Sequence, residues 1–277
     1  MKDSGEAGKG EERSTCSEHV TYSEFYDPRL VTIYDTVNPI GEYAMFYLEL
    51  AAQLSASSII DIGCGSGLLT CELAKQGHKL VGVEPSRAML DLAQQRLPGE
   101  QVRWINGNAL GLGDLQTDLH ADLAIMTGHV AQFFLDDDSW LATLKAIHKV
   151  LKPGGHLAFE IRNPMVQPWA DGRIGCHIDW PSQTSRRIVI DPVAGQIEWW
   201  MQLVEVNGDR VRYENHYLFT RSGEELVSTN ELRFSTQLKV SQSLSEAGFS
   251  TESVFGDWDC SLADDESPEM IFVAALA

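Results

Sequence analysis

The sequence predicts an α/β protein with a doubly wound, mostly parallel sheet, and three observations carry that expectation. Between about residues 57 and 162, short apolar runs alternate with amphipathic helical patterns. A glycine-rich turn at Gly63, Gly65 and Gly67 follows the first apolar run directly. Near the end of the chain, two apolar runs are joined by a connection too short for a helix. A parallel strand pair needs a crossover helix and an antiparallel pair does not, so the first pattern implies parallel strands and the last an antiparallel pair.

The elements follow in order. The first 18 residues are polar and charged, and they are expected to form a disordered tail. Residues 19–57 form a helical cover, with Phe46, Leu48, Leu50, Ala51 and Leu54 recurring at helical spacing. "SSIIDIG" is the first strand, Leu68 to Gln76 a helix closed by Gly77, "HKLVGVE" the second strand, Ser86 to Arg96 a helix, and "QVRWIN" the third strand. "ADLAIMTG" is the fourth. Asp138 or Ser139 caps the next helix, whose apolar side carries Leu141, Leu144, Ile147 and Leu151, and "KPGG" ends it before the strand "HLAFEIR".

Residues 173–236 then switch to strand-like alternation, "IEWWMQLVEV" and "RVRYENHYLFT", around Asn207-Gly208, a strong hairpin signal. This is an antiparallel β insertion after the fifth strand, expected to cover the substrate side. With Asn207 and Gly208 as the two turn residues, Trp200, Gln202, Tyr213, Asn215 and Tyr217 share one face; Trp199, Met201, Arg212, Glu214 and His216 share the other. A longer loop shifts that register. "LKVSQSLSEAG" is a last helix, and "FSTESVFGDW" and "PEMIFVAAL" are the antiparallel pair. The main domain is thus 58–172 with 237–277, a seven-stranded sheet with an antiparallel last strand.

Composition narrows the function. A formal net charge of -19 over 277 residues repels phosphate backbones and anionic lipid. Small-molecule or basic partners are therefore expected, without nucleic acid or membrane, and a homodimer is the assembly considered. Cys16, Cys64, Cys71, Cys176 and Cys260 are odd in number and scattered, which suits reduced thiols in a cytoplasmic protein. The polar N-terminus lacks the apolar core of a secretory signal, and no apolar run is long enough to span a bilayer. No sequence-local metal cluster is found; the acids at 136–138 are read as a helix start.

A strand that runs into "GCGSG" and then a helix makes a sharp turn whose backbone a ligand can approach. Glu84 ends the second strand, where a carboxylate can accept two ribose hydroxyls. Together they read as a nucleoside site. A dinucleotide fingerprint places its third glycine inside the helix, but here Leu68 holds that position and Asp61 adds a carboxylate. That acid suits a positively charged group better than a pyrophosphate.

With these residues the chain resembles the class I S-adenosylmethionine-dependent methyltransferases. "DIGCGSG" matches their first motif, "VGVEPSRAML" the acidic second-strand motif, "GNAL" the loop after the third strand, and "LKPGGHLAFE" the segment leading into the fifth. The resemblance covers about residues 57–162 closely and 237–276 more loosely. It implies a Rossmann-like fold and S-adenosyl-L-methionine as cofactor, with S-adenosyl-L-homocysteine as product. It also implies that Asp61, Gly63 and Gly65 in the glycine turn with Gly67 hold the methionine end, Glu84 the ribose, Pro85 and Met89 the adenine faces, and Asn108 and Ala109 the adenine edge. Thr127, after the fourth strand, joins that cofactor set. Many relatives have aspartate where this chain has Asn108, whose amide can still accept from the adenine amino group.

The acceptor is expected to be a small molecule, methylated on N, O or C by in-line displacement. His129, in the segment after the fourth strand, is the candidate general base, against a histidine bonded to neighbouring backbone. Arg162 can bind a substrate carboxylate or form a structural ion pair. Trp200, Tyr213 and Tyr217 are candidate substrate contacts on the insertion, where packing is the alternative. The competing functions are an NAD(P)-dependent oxidoreductase and a protein that binds S-adenosylmethionine without methyl transfer.

Overall fold

The computed structural model describes residues 21–96, 102–113, 120–169 and 186–277. The expected tail, residues 1–18, and the start of the insertion, residues 173–185, lie outside the described residues.

Three helices precede the sheet: α1 (Ser23–Tyr26), α2 (Pro28–Val37) and α3 (Glu42–Gln53). Asp27 caps α2 by accepting from the backbone N–H of Arg29, and Pro28 sits where its missing N–H costs nothing. The alternating unit follows as β1 (Ser58–Ile62), α4 (Leu68–Lys75), β2 (Lys79–Glu84), α5 (Arg87–Arg96), β3 (Val102–Asn106), β4 (Ala121–Met126), α6 (Asp137–Val150) and β5 (Leu151–Arg162). The insertion supplies β6 (Arg187–Asp191), β7 (Gly195–Asn207), β8 (Arg210–Phe219) and β9 (Glu224–Arg233). The chain closes with α7 (Gln237–Glu246), β10 (Phe249–Phe255) and β11 (Glu269–Leu276).

The large sheet has the order β10-β11-β5-β4-β1-β2-β3. β1 to β5 are mutually parallel, and β11 runs antiparallel to both β5 and β10. Strand periodicity divides the core in two. Ile59, Leu123, Ile125, Ala158 and Ile271 face α3 and α4, while Ile60, Ala124, Met126, Leu157, Phe159 and Phe272 face α6 and α7. Parallel strands covered on both faces need apolar residues in succession, which is why "SIIDI" and "ADLAIM" read as unbroken runs.

Two boundaries differ from the sequence reading. Asp136 caps α6, its carboxylate accepting from Ser139 N at 2.7 Å, so Asp137 and Asp138 occupy the first turn, where acids complement the helix dipole. "KPGG" lies within β5: Ala121 pairs with Leu151 but Leu123 with His156, so Lys152–Gly155 loops out of the ladder as an irregularity.

The small sheet, β6-β7-β8-β9, is antiparallel throughout. Its register corrects the hairpin reading. Asn207 pairs with Arg210, so the turn residues are Gly208 and Asp209, and a shift between Leu203 and Glu205 follows. One residue of slip exchanges the faces. Trp199 pairs with Tyr217 and Met201 with Asn215, while Trp200 pairs with His216 on the opposite face.

The inner face of this sheet packs Ile197, Trp199 and Tyr217 against Leu30, Ile33 and Val37 of α2. Val211, Tyr213 and Leu232 pack beside Phe133. The N–H groups of Thr21 and Tyr22 donate to Thr229 O at 2.9 and 3.1 Å, joining the N-terminal segment to β9. The insertion and the N-terminal helices therefore form one cover beside the segment that follows β4. No described helix is long and apolar enough to cross a membrane.

Candidate active site

β1 ends at Ile62 and the chain turns through three residues of positive φ, Gly63 (72°), Gly65 (54°) and Gly67 (75°), before α4. Their reasons differ. A Cβ on Gly63 would lie 2.6 Å from Val130, and one on Gly67 2.8 Å from Trp104, so both are demanded by the protein's own packing. At Gly65 the nearest neighbour would be the Met89 methyl at 3.6 Å, an ordinary contact. Gly65 alone of the three leaves its backbone approachable from the crevice, with buried Met89 beside it.

Glu84, 7% exposed, closes the turn from the adjacent strand. Its Oε2 accepts from Gly65 N at 3.1 Å and its Oε1 from Ser86 N at 2.8 Å. Burial raises this carboxyl's pKa, and the two backbone donors oppose the rise. Asp61, at the end of β1, is 1% exposed. Its Oδ2 accepts from Thr70 Oγ1 at 2.6 Å, and its Oδ1 is buried without a hydrogen-bond partner among the described residues. Burial pushes this carboxyl up to about 7, Thr70 opposes the rise, and Glu84 and Glu160 add to it by repulsion. A buried acceptor left open beside two further acids suits a ligand that brings donors and positive charge.

The cover is pinned to this turn. Ser66 Oγ donates to Asp35 Oδ1 of α2 at 2.5 Å, Arg96 Nε donates to Ser66 O at 2.6 Å, and Arg96 also pairs with Asp35. Ser86 Oγ donates to the carbonyl of Phe25. Pro85 is exposed at the crevice rim and Thr127 is half-buried at the end of β4. Asn108 Oδ1 accepts from Leu110 N at 3.1 Å, opening a 3₁₀ turn in which Ala109 is buried.

On the far side of the crevice Gly128 and His129 both take positive φ, 71° and 62°. The backbone N–H of His129 donates to Glu160 Oε1 at 2.9 Å, and Tyr47 Oη donates to the other oxygen of Glu160. His129 Nε2 lies 2.9 and 3.1 Å from the two oxygens of Glu269, at the start of β11. The histidine is thus oriented by a carboxylate, not by neighbouring backbone. Arg162, at the end of β5, donates from Nη1 to Gln132 Oε1 at 3.1 Å, and burial lowers its pKa.

His129 and Arg162 line a cavity of about 160 Å³ that the cover encloses with Phe25, Tyr34, Trp199, Tyr213 and Tyr217. Trp200 does not line it. Its indole stacks on His216 at 4.8 Å, and the Arg186 guanidinium lies 3.9 Å above it, on the outer face of the small sheet. The hairpin slip is the cause, because Trp199 holds the inward position.

Residues 59–155 match the family described as "Methyltransferase domain". Residues 59–155 of this chain are a methyltransferase domain. A "Cypemycin N-terminal methyltransferase" from Streptomyces sp is 26% identical over 142 residues, 50% of this chain and 57% of the relative. A "Ubiquinone biosynthesis O-methyltransferase" from Acinetobacter baylyi is 29% identical over 118 residues, 42% of this chain and 49% of the relative. The chain spans about half the length of these curated relatives. A crystal structure of a S-adenosylmethionine-dependent methyltransferase from Clostridium acetobutylicum superposes with a TM-score of 0.71 at 15% identity, covering 90% of this chain and 98% of that one, which shows a shared fold.

Of the residues expected around the glycine turn, Gly65, Glu84 and Met89 meet there, and His129, Arg162, Tyr213 and Tyr217 line one cavity. Sequence reasoning missed Glu24, Asn215 as a cavity residue, and Glu269. Glu24 had one available signal, an acid set among aromatic residues in "YSEFY". Glu269 directly precedes the apolar run of β11 and carried none.

Proposed function

We propose that this protein is an S-adenosylmethionine-dependent methyltransferase acting on a small-molecule acceptor held in the cavity under the β insertion. The observation that carries the reading is the buried, unpartnered Asp61 Oδ1 beside the approachable Gly65 turn, with Glu84 on the adjacent strand end. These residues fit the cofactor's chemistry. Asp61 offers an anionic acceptor to the amino group of the methionine portion, directly or through water. Each oxygen of Glu84 has capacity left after its backbone bond to accept from a ribose hydroxyl. Met89 offers an apolar surface to the adenine, with Pro85 at the rim and the Asn108–Ala109 turn at its edge. Gly63 and Gly67 shape the turn, and Thr127 stands between it and the acceptor side.

The bound cofactor would supply an electrophilic methyl carbon, so the protein's work is alignment, exclusion of water and, for a protonated nucleophile, proton removal. His129 is placed for that last task. Glu269 holds its Nε2, which leaves Nδ1 as the ring nitrogen to accept a proton. Arg162, Tyr213 and Tyr217 shape the acceptor's surroundings. One curated relative is named for N-terminal methylation and the other for O-methylation, so their names leave the acceptor atom open.

Calorimetric titration with S-adenosylmethionine, S-adenosylhomocysteine and NAD tests the reading. Binding of the first two without NAD is expected; binding of NAD alone overturns it.

A further inference from the structure

The acceptor cavity has a carboxylate built into its wall. Glu24 on α1 lines the cavity yet is only 6% exposed. Its Oε1 accepts from Asn215 Nδ2 at 3.2 Å and its Oε2 from Asn230 Nδ2 at 3.1 Å. Among the described residues its hydrogen-bonding partners are neutral, Asn215, Asn230 and Ser228, with no lysine, arginine or histidine paired to it.

Both asparagines turn their amino groups toward Glu24 and leave their own Oδ1 atoms buried without a hydrogen-bond partner among the described residues. That orientation suits an anion, because a protonated carboxyl would donate to one of those oxygens instead. Burial raises the Glu24 pKa all the same, so the amides hold a charge that the surroundings penalise. A buried anion served only by neutral donors is left with charge that a cationic ligand would balance.

The remaining wall points the same way. Phe25, Tyr34, Phe133, Trp199 and Tyr217 surround the cavity, and aromatic faces attract cations. The net charge of -19 draws cations toward the molecule. Among the described residues Glu24 is the one carboxylate lining the cavity and comes from α1, while the cation Arg162 comes from the end of β5.

We propose, resting on the methyltransferase reading above, that the acceptor carries a protonated amine and that Glu24 binds this ammonium as its counter-ion within the aromatic wall. An alcohol of the same shape brings one donor and no charge, so it neutralises nothing.

Titration calorimetry of the full chain saturated with S-adenosylhomocysteine, at pH 7, compares benzylamine with benzyl alcohol, and repeats both on Glu24→Gln. Benzylamine is expected to bind at least about tenfold more tightly than the alcohol, a ratio that falls to within about twofold in Glu24→Gln. Equal affinities in the parent chain overturn the proposal, as does a ratio that survives the substitution or the failure of both probes to bind. The comparison in the parent chain decides the matter even where Glu24→Gln does not fold. Absence of S-adenosylhomocysteine binding overturns the methyltransferase reading instead.

Discussion

The two halves of the crevice are built over different distances along the chain. In the glycine-turn half, Asp61 bonds Thr70 nine residues on, and Glu84 bonds Ser86 and Gly65, 2 and 19 residues away. In the acceptor half, His129 meets Glu269 across 140 residues, and Glu24 meets Asn215 and Asn230 across 191 and 206. The first half is one supersecondary unit whose geometry follows from local turn chemistry. The second exists only once the N-terminal helices, the insertion and β11 have docked. Substitutions in the first half should therefore act on cofactor affinity, and those in the second on turnover and acceptor affinity.

Gly65→Arg tests this division most severely. The residue sits at a φ of 54°, and a side chain there would enter the space beside Met89 that the ligand needs. S-adenosylhomocysteine affinity is expected to fall by about a hundredfold or more while far-ultraviolet circular dichroism stays native, since no backbone atom crowds the new Cβ. Calorimetry giving parental affinity would remove the nucleoside assignment of the turn.

His129→Ala probes the other half. Turnover is expected to fall roughly a hundredfold, within the usual range for losing a general base, with S-adenosylhomocysteine affinity unchanged within about twofold. Glu269→Gln keeps a hydrogen-bond acceptor for the ring but removes its charge, and should cost about tenfold in turnover by mispositioning His129. If both variants match the parent in single-turnover assays, the His129–Glu269 pair is structural.

Asp61→Asn separates affinity from stability within the first half. Burial holds the Asp61 carboxyl at about 7, above the unfolded value of about 3.9. The folded chain therefore binds this proton more readily, so stability rises as pH falls from about 7 toward about 4 and is lost as pH rises through that window. Asparagine removes this penalty. At pH 8 the variant should unfold at a higher temperature, by a gain on the order of a few kcal/mol at most, while its S-adenosylmethionine affinity falls about tenfold. Glu24, Glu84 and Glu160 are raised by burial as well, so a shallower pH slope should remain in thermal denaturation.

The same difference in distance decides what was legible in the sequence. The seven strands, their directions and the geometry of the glycine turn followed from alternation, glycine spacing and Glu84, all readable within a window of about thirty residues. The acceptor half was legible only as residue types. His129 and Arg162 were found because they follow strand ends, where ligands bind in such sheets. Glu269 and Glu24 were not, because their partners are fixed by tertiary packing. The hairpin failed for a smaller reason. Asn207-Gly208 marked the turn within one residue, a displacement that keeps the faces, but the register shift between Leu203 and Glu205 exchanges them over the rest of β7.

Trp199 and Trp200 turn that slip into the mildest test. Both indoles are buried, at 8% and 3% exposure, so replacing either with leucine should destabilise the fold similarly, by about 2 kcal/mol. Of the two, Trp199 lines the cavity proposed for the acceptor and packs on Leu30 and Ile33 of α2; Trp200 is spent on His216 and Arg186 outside it. Trp199→Leu is therefore expected to raise the acceptor KM several-fold with kcat nearly unchanged, and Trp200→Leu to leave both at parental values. The equal stability loss makes the pair its own control, since a KM effect from general loosening would appear in both variants. Steady-state kinetics in which Trp200→Leu carries the larger KM change would mean that the outer face of the small sheet, not the inner one, meets the acceptor.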